Sequence, residues 1–228
     1  MKYTAVLLDL DGTIFDFHAA QRQAFFETFA HFGIAADEAM LCRYDKFNDS
    51  LWQMLEHGEI TRERLFKERF KLFFEKENIK AMISPADVQK RYMQALSGGH
   101  FLIDGALDLL KTLHGNYKVC AITNGVSMTQ RKRLSDSNTT EYFDHLVISE
   151  EVGFEKPDRR YFEAAVNICG ITDIKKAIVV GDSLSADIFG GGSFGFDTCW
   201  YNPNGKPFNG KYPPTYIISH LSKLNDII

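Results

Sequence analysis

The sequence is poor in the features that mark several large protein classes. Only four of its 228 residues are cysteines: Cys42, Cys120, Cys169 and Cys199. They lie far apart with no CxxC pair, which speaks against a thiol redox centre, and a chain of this length needs no disulfide staples. The seven histidines (His18, His31, His57, His100, His114, His145 and His220) show no ligand spacing, so a histidine–cysteine metal site finds no support. Positive charge is not in excess. The formal net charge is -4, which gives no electrostatic case for nucleic acid or an acidic membrane as main partner. No run approaches the roughly 20 apolar residues of a membrane span. The first apolar run, Ala5-Val6-Leu7-Leu8, is cut short by Asp9 and does not read as a signal peptide. Internal repeats, low-complexity stretches, a Walker A loop and an HRD-type kinase motif are all missing. The expectation is a reduced, cytoplasmic globular chain with an ordinary core, whose oligomeric state no motif fixes. Hydrophobic residues make up 45% and charged residues 25%, as in a typical soluble domain.

What is present is an alternation. Residues 3–9 read as a buried strand, and similar apolar runs recur at 117–123, 145–149, 176–182 and 196–201. Helical stretches fall between them, at about 104–114, 126–135, 158–170 and 184–192. Alternating strands and helices predict an α/β fold: a Rossmann-like parallel sheet with helices on both faces. In such sheets ligands sit at the carboxyl ends of the strands. Asp9, Thr123 and Asp182 fall at those ends, so residues distant in sequence are expected to converge.

Residues 16–98 break the alternation. Phe25, Phe29 and Phe32 follow helical spacing up to Gly33, a plausible C-cap. Phe66, Phe70 and Phe73 repeat the pattern after an N-cap signal at Thr61. Ser84-Pro85-Ala86-Asp87 opens a further helix, with Val88, Tyr92 and Leu96 on one face before Gly98-Gly99. The expected organisation is therefore a core of residues 1–15 and 99–228, with an all-helical insertion at 16–98. The segment 202–214 is rich in Gly, Pro and Asn and reads as a surface loop.

Four groups carry chemistry. Asp9 and Asp11 stand one residue apart at a strand end, followed by Gly12 and Thr13. A carboxylate is ionised at neutral pH, so Asp9 can attack phosphorus without a base, and Asp11 can exchange a proton with a leaving group. Thr123, Asn124 and Gly125 offer a hydroxyl, an amide and backbone N–H groups to phosphate oxygens. Lys156 supplies a point charge. Asp182, with Asp187 five residues on, suits a hard cation with oxygen ligands. Brought together, the four aspartates would repel a phosphate dianion. One divalent cation and Lys156 supply three positive charges, and a proton on Asp11 closes the balance. The run Gln130-Arg131-Lys132-Arg133 reads as a solvated helix face. Gly190-x-Gly192-x-x-Gly195 fits GxGxxG formally, but it lies after a helix and before a strand, the reverse of a dinucleotide fingerprint.

In this order, Asp-x-Asp-Gly-Thr, Thr-Asn, Lys-Pro and Gly-Asp-x-x-x-x-Asp, the motifs resemble the four motifs of the haloacid dehalogenase-like (HAD) hydrolases. The helical insertion sits where that superfamily places its type-1 cap. The resemblance implies that Asp9 is the nucleophile and Asp11 the general acid/base, also a Mg²⁺ ligand through its backbone carbonyl. It implies that Thr123, Asn124 and Gly125 hold phosphate and that Lys156 orients Asp9. Asp182, with Asp9, would ligate Mg²⁺, and Asp187 would support the site. Tyr142-Phe143-Asp144, the stretch Leu146 to Gly153, Gly181-Asp182-Ser183 and Thr198-Cys199-Trp200 are also similar to the YjjG-type pyrimidine 5′-nucleotidases, as are Leu51-Trp52 and Gly58-Glu59-Ile60-Thr61 in the insertion. That likeness implies phosphate removal from nucleoside 5′-monophosphates such as UMP, with Asn48 and Trp52 as candidate base contacts. A dehalogenase, a phosphomutase and a phosphoglycolate or sugar phosphatase are the alternatives on the same core. A dehalogenase would leave Asp11 and the metal carboxylates idle.

Overall fold

The computed structural model describes residues 2–80 and 82–228. They form two compact units: His18–Gly99, and the remainder of the described chain. No described helix is long and apolar enough to cross a membrane.

The first unit is helical throughout. It holds nearly all of α1 (Phe17–His31), together with α2 (Glu38–Glu56), α3 (Arg62–Glu77) and α4 (Pro85–Gly98). The predicted starts hold at α3 and α4. Thr61 accepts a hydrogen bond from the Arg64 N–H, and Pro85 occupies the first turn of α4 with its missing N–H at no cost. Ser84 stands at the N-cap but its hydroxyl makes no capping bond. Phe25, Phe29, Phe70 and Phe73 are buried with Tyr44 and Tyr92, their rings stacked or edge-to-face. Phe32 and Phe66, read as members of the same stripes, are only half-buried.

The second unit is a six-stranded sheet in which every pairing is parallel. Its strands are β1 (Ala5–Asp9), β2 (Lys118–Thr123), β3 (His145–Ile148), β4 (Ala177–Gly181), β5 (Asp197–Tyr201) and β6 (Tyr216–Ile218), in the order β3-β2-β1-β4-β5-β6. The helices between strands are α5 (Ala106–Leu113), α6 (Ser127–Asp136), α7 (Ser149–Val152), α8 (Arg159–Ile168) and α9 (Gly190–Phe194). Both faces of the sheet are covered, and the period-two rule sorts its residues. Val6, Leu8, Val119 and Ala121 pack with Leu109, Leu110 and Leu113 of α5. Ala5, Leu7, Cys120 and Ile122 pack with Tyr161, Phe162 and Ala165 of α8. Cys120 and Cys199 are buried thiols, as their apolar runs imply.

Three elements depart from the sequence reading. The helix expected over 184–192 is a π-helical turn, Leu184–Phe189, followed by α9. The short edge strand β6 and the 3₁₀ segment Leu221–Asp226 were not foreseen, because three residues with Ile217 exposed carry no period. The three glycines of α9 are buried, and Gly191 lies flat on Val179 of β4, so the GxGxxG match is a packing device.

Candidate active site

Parallel strands on the two sides of the β1–β2 and β1–β4 pairs put their carboxyl ends side by side. Asp9 ends β1, Thr123 ends β2, and Asp182 directly follows Gly181 at the end of β4. The chain after β1 turns back at once. The Ile14 and Phe15 N–H groups both bond the Leu10 carbonyl, and Gly12 takes a φ of +90° that side chains with a Cβ rarely adopt. Gly12 also lies flat against the Asp182 carboxylate: a Cβ there would sit 2.5 Å from its Oδ2.

Asp9, Lys156 and Asp187 form the buried centre. Lys156 Nζ donates to Asp9 Oδ1 and to Asp187 Oδ1 at 2.7 Å each, and to the Ile122 carbonyl at 3.2 Å. All three side chains are less than a tenth exposed, which makes an unpaired charge here costly. Burial opposes the charged form of Lys156, but the two carboxylates outweigh it and hold the ammonium above its ordinary range. Burial likewise raises the Asp9 carboxyl, helped by repulsion from Asp187 and Asp182, with Lys156 pulling the other way.

The Asp187 oxygens are both used. Oδ1 accepts from Lys156, and Oδ2 accepts from the Ser183 N–H at 3.2 Å within the π-helical turn. Asp9 differs. Its Oδ2 is buried without a hydrogen-bond partner among the described residues. Asp182 is exposed, and the Trp200 indole N–H fixes its backbone by donating to its carbonyl at 3.0 Å. Surrounding protein and the Asp187 charge raise the Asp182 carboxyl, while Lys156 lowers it. Because that side chain faces solvent, water relieves the first cause, and the repulsion is the part that stands.

Carboxylate oxygens of Asp9, Asp182 and Asp187 all lie within 4.8 Å of one another. The donor set is oxygen only, one buried oxygen of Asp9 has no partner, and the three acids face a single ammonium. These observations fit a hard divalent cation. Asp9 and Asp182 have oxygens to offer it, whereas Asp187 has spent its own on Lys156 and Ser183.

The second group surrounds Thr123. Thr123 Oγ1 accepts from the Gly125 N–H at 2.9 Å and from Gln130 Nε2 at 3.3 Å, so its own hydrogen is left to donate outward. Asn124 clamps the backbone of Lys156. Its Nδ2 donates to the Lys156 carbonyl and its Oδ1 accepts from the Lys156 N–H, both at 2.8 Å. The side-chain amide expected to meet phosphate therefore places Lys156 instead.

Asp11 stands apart from the acidic group. Its carboxylate is ion-paired with Arg133 Nη1 and hydrogen-bonded by Gln130 Nε2, both from α6. The reading of residues 130–133 as a solvated face fails here. Arg131 and Lys132 face solvent, but Gln130 and Arg133 are buried. Arg133 also stacks on Phe15, 4.5 Å from the ring centroid. The signal was weak but present: Gln130 precedes the buried Leu134 by one helical turn and shares its face. Arg133 also changes the charge balance. It adds a second buried positive charge beside the aspartates, next to that of Lys156.

Asn48, a candidate base contact, is fully buried inside the helical unit. Its Nδ2 donates to Gln21 Oε1 at 3.0 Å, and its Oδ1 accepts from Arg69 Nη1 at 3.1 Å. Both ends of the amide are engaged, so it serves packing. Trp52 is half-buried and packs edge-on to Phe66.

Residues 3–195 match the family described as haloacid dehalogenase-like hydrolase. Among individual proteins, the chain is 37% identical over 227 residues to YfnB of Bacillus subtilis, covering all of this chain and 96% of that one. A crystal structure of YfnB bound to magnesium superposes with a TM-score of 0.93, covering 100% of this chain and 99% of the other. The chain is 32% identical to the pyrimidine 5′-nucleotidase YjjG of Escherichia coli, covering 100% of this chain and 99% of YjjG. It is 34% identical to the pyrimidine 5′-nucleotidase PynA of Streptococcus pneumoniae, covering 100% of this chain and 96% of PynA.

Proposed function

The chain belongs to the haloacid dehalogenase-like hydrolases, and we propose that it is a phosphomonoesterase working through Asp9 on nucleoside 5′-monophosphates, pyrimidine nucleotides first. The observation that carries this reading is the buried Asp9–Lys156–Asp187 centre with one Asp9 oxygen left unbonded. Lys156 fixes Oδ1, so Oδ2 is the atom that meets phosphorus. Attack forms the Asp9–phosphate bond and breaks the ester P–O bond, and Asp11 gives a proton to the departing oxygen. Asp11 then takes a proton from the water that attacks the aspartyl-phosphate, which frees phosphate and regenerates Asp9. Thr123 donates its hydroxyl hydrogen to a phosphate oxygen, joined by N–H groups at Asn124 and Gly125. A divalent cation, Mg²⁺ as the first choice, would be held by Asp9, Asp182 and the Asp11 backbone carbonyl and would offset the charge of phosphate. Residues 16–98 act as the cap that selects the substrate.

The nucleotide assignment rests on the full-length likeness to YjjG and PynA. The chemistry rests on the site. A dehalogenase expels halide, which takes no proton, and two buried side chains holding Asp11 would then serve nothing.

The test is phosphate release from a panel of ribo- and deoxyribonucleotides, sugar phosphates and phosphoglycolate. Preferential release from UMP, dUMP or dTMP is expected, lost on EDTA treatment and restored by Mg²⁺. Asp9→Asn should lower turnover by at least about 10⁴-fold while far-UV circular dichroism stays unchanged. Preference for a sugar phosphate or glycolate would retain the chemistry and overturn the nucleotide assignment. Full activity after exhaustive EDTA would overturn the cation requirement.

A further inference from the structure

The geometry points to Gln130 and Arg133 of α6 as positioning residues that orient the Asp11 carboxylate for proton transfer. This inference rests on Asp11 acting as general acid/base.

Both Asp11 oxygens are held from α6 alone. Arg133 Nη1 takes Oδ1 and Gln130 Nε2 takes Oδ2, and no other side chain hydrogen-bonds that carboxylate among the described residues. The two holders are themselves fixed. Arg133 is fully buried and braced by the Phe15 ring, in the same turn as Asp11, and it contacts Gln130 Oε1 at 3.5 Å. Gln130 is 1% exposed and its Nε2 also reaches Thr123 Oγ1 at 3.3 Å, so one amide links the proton-transfer group to the phosphate-facing hydroxyl. Gly125 makes room for it, since a Cβ at that position would lie 2.0 Å from Gln130 Nε2. A buried guanidinium and a buried amide aimed at one carboxylate are expensive to place without a partner. Their effect is to deny Asp11 rotation about its side-chain bonds, and a proton donor misplaced by a fraction of an ångström loses much of its efficiency.

A role through Asp11 has a signature that a general structural role lacks. An alkoxide leaving group needs the proton and an aryl oxide hardly does, so loss of positioning must depend on the leaving group. The experiment compares kcat on UMP and on p-nitrophenyl phosphate for Gln130→Met, Arg133→Lys, Arg133→Met and Asp11→Asn. Gln130→Met leaves the ion pair intact and Arg133→Lys leaves the buried charge, so folding is preserved even where Arg133→Met fails to fold. Circular dichroism melting checks each variant. The expected result is a loss of about 10- to 100-fold on UMP for Gln130→Met, with at most a few-fold loss on the aryl substrate. Arg133→Lys should fall between Gln130→Met and the wild type. In the Asp11→Asn background, Gln130→Met should cause no further loss. Equal losses on both substrates for Gln130→Met and Arg133→Lys, or a full further loss in the Asp11→Asn background, would overturn the positioning role while leaving Asp11 as general acid. Equal losses for Asp11→Asn itself would overturn the general-acid reading and the positioning role with it.

Discussion

The two units bury polar groups in opposite ways. In the helical unit, no carboxylate among the described residues forms an ion pair with Arg69. Its guanidinium is met by the amide oxygens of Asn48 and Gln89 and by the Tyr92 ring, 4.8 Å from the centroid. Asn48 in turn is consumed by Gln21 and Arg69. In the sheet unit, three acids crowd one lysine, one Asp9 oxygen has no partner among the described residues, and Asp182 presents an exposed carboxylate. The helical network closes on itself and stabilises a fold. The strand-end cluster is left short of positive charge, and that shortfall is what a cation would fill.

The contrast can be broken most strongly at Lys156. Lys156→Met leaves Asp9 and Asp187 facing each other in a dry site, which should cost about 3–5 kcal/mol of stability and abolish turnover. Differential scanning calorimetry should show a melting temperature lower by roughly 10 °C. Added Mg²⁺ should recover part of that loss, because the cation would bind the same acids. An unchanged melting temperature would mean the acids are not held ionised there.

Gly181→Ala is a subtler intrusion. The new Cβ would lie 2.2 Å from Asp187 Oδ2, displacing the carboxylate that steadies Lys156. A fall in kcat of about 10- to 100-fold is expected, with smaller change in KM. Wild-type kcat would show that Asp187 has freedom the packing denies.

The smallest effect on activity is expected in the helical unit. Asn48→Leu strands Arg69 Nη1 and leaves Gln21 Oε1 with only the Tyr92 hydroxyl at 3.4 Å, at a cost of about 2 kcal/mol read by urea unfolding. KM for UMP should hold within about twofold of wild type. A large rise in KM with unchanged stability would restore Asn48 as a base contact.

Much of the sheet unit was legible in the sequence because its logic is periodic and local. Apolar runs ending in Asp9, Thr123 and Asp182 mark strand ends, and parallel order brings those ends together. Thr61 and Pro85 are likewise local signals, and both helix starts hold. What escaped depended on partners far away in sequence. Arg133 sits in a basic run that looks solvated, and only its pairing with Asp11, 122 residues distant, makes burial tolerable. Asn48 carries no mark of the network that consumes it. The π-helical turn that aims Asp187 at Lys156 differs from an ordinary helix by a register shift that composition does not record. The asymmetry is physical: hydrophobic burial writes a period into the chain, whereas a buried charge writes only its own identity.

The most direct measurement is to quench steady-state turnover of UMP in acid and map the phosphoryl group by mass spectrometry. Attack by Asp9 predicts a phosphoryl adduct on the peptide that carries Asp9, absent in Asp9→Asn and absent when EDTA is present before substrate. Normal turnover with no adduct on that peptide, or with the phosphoryl group on another residue, would contradict Asp9 as the nucleophile.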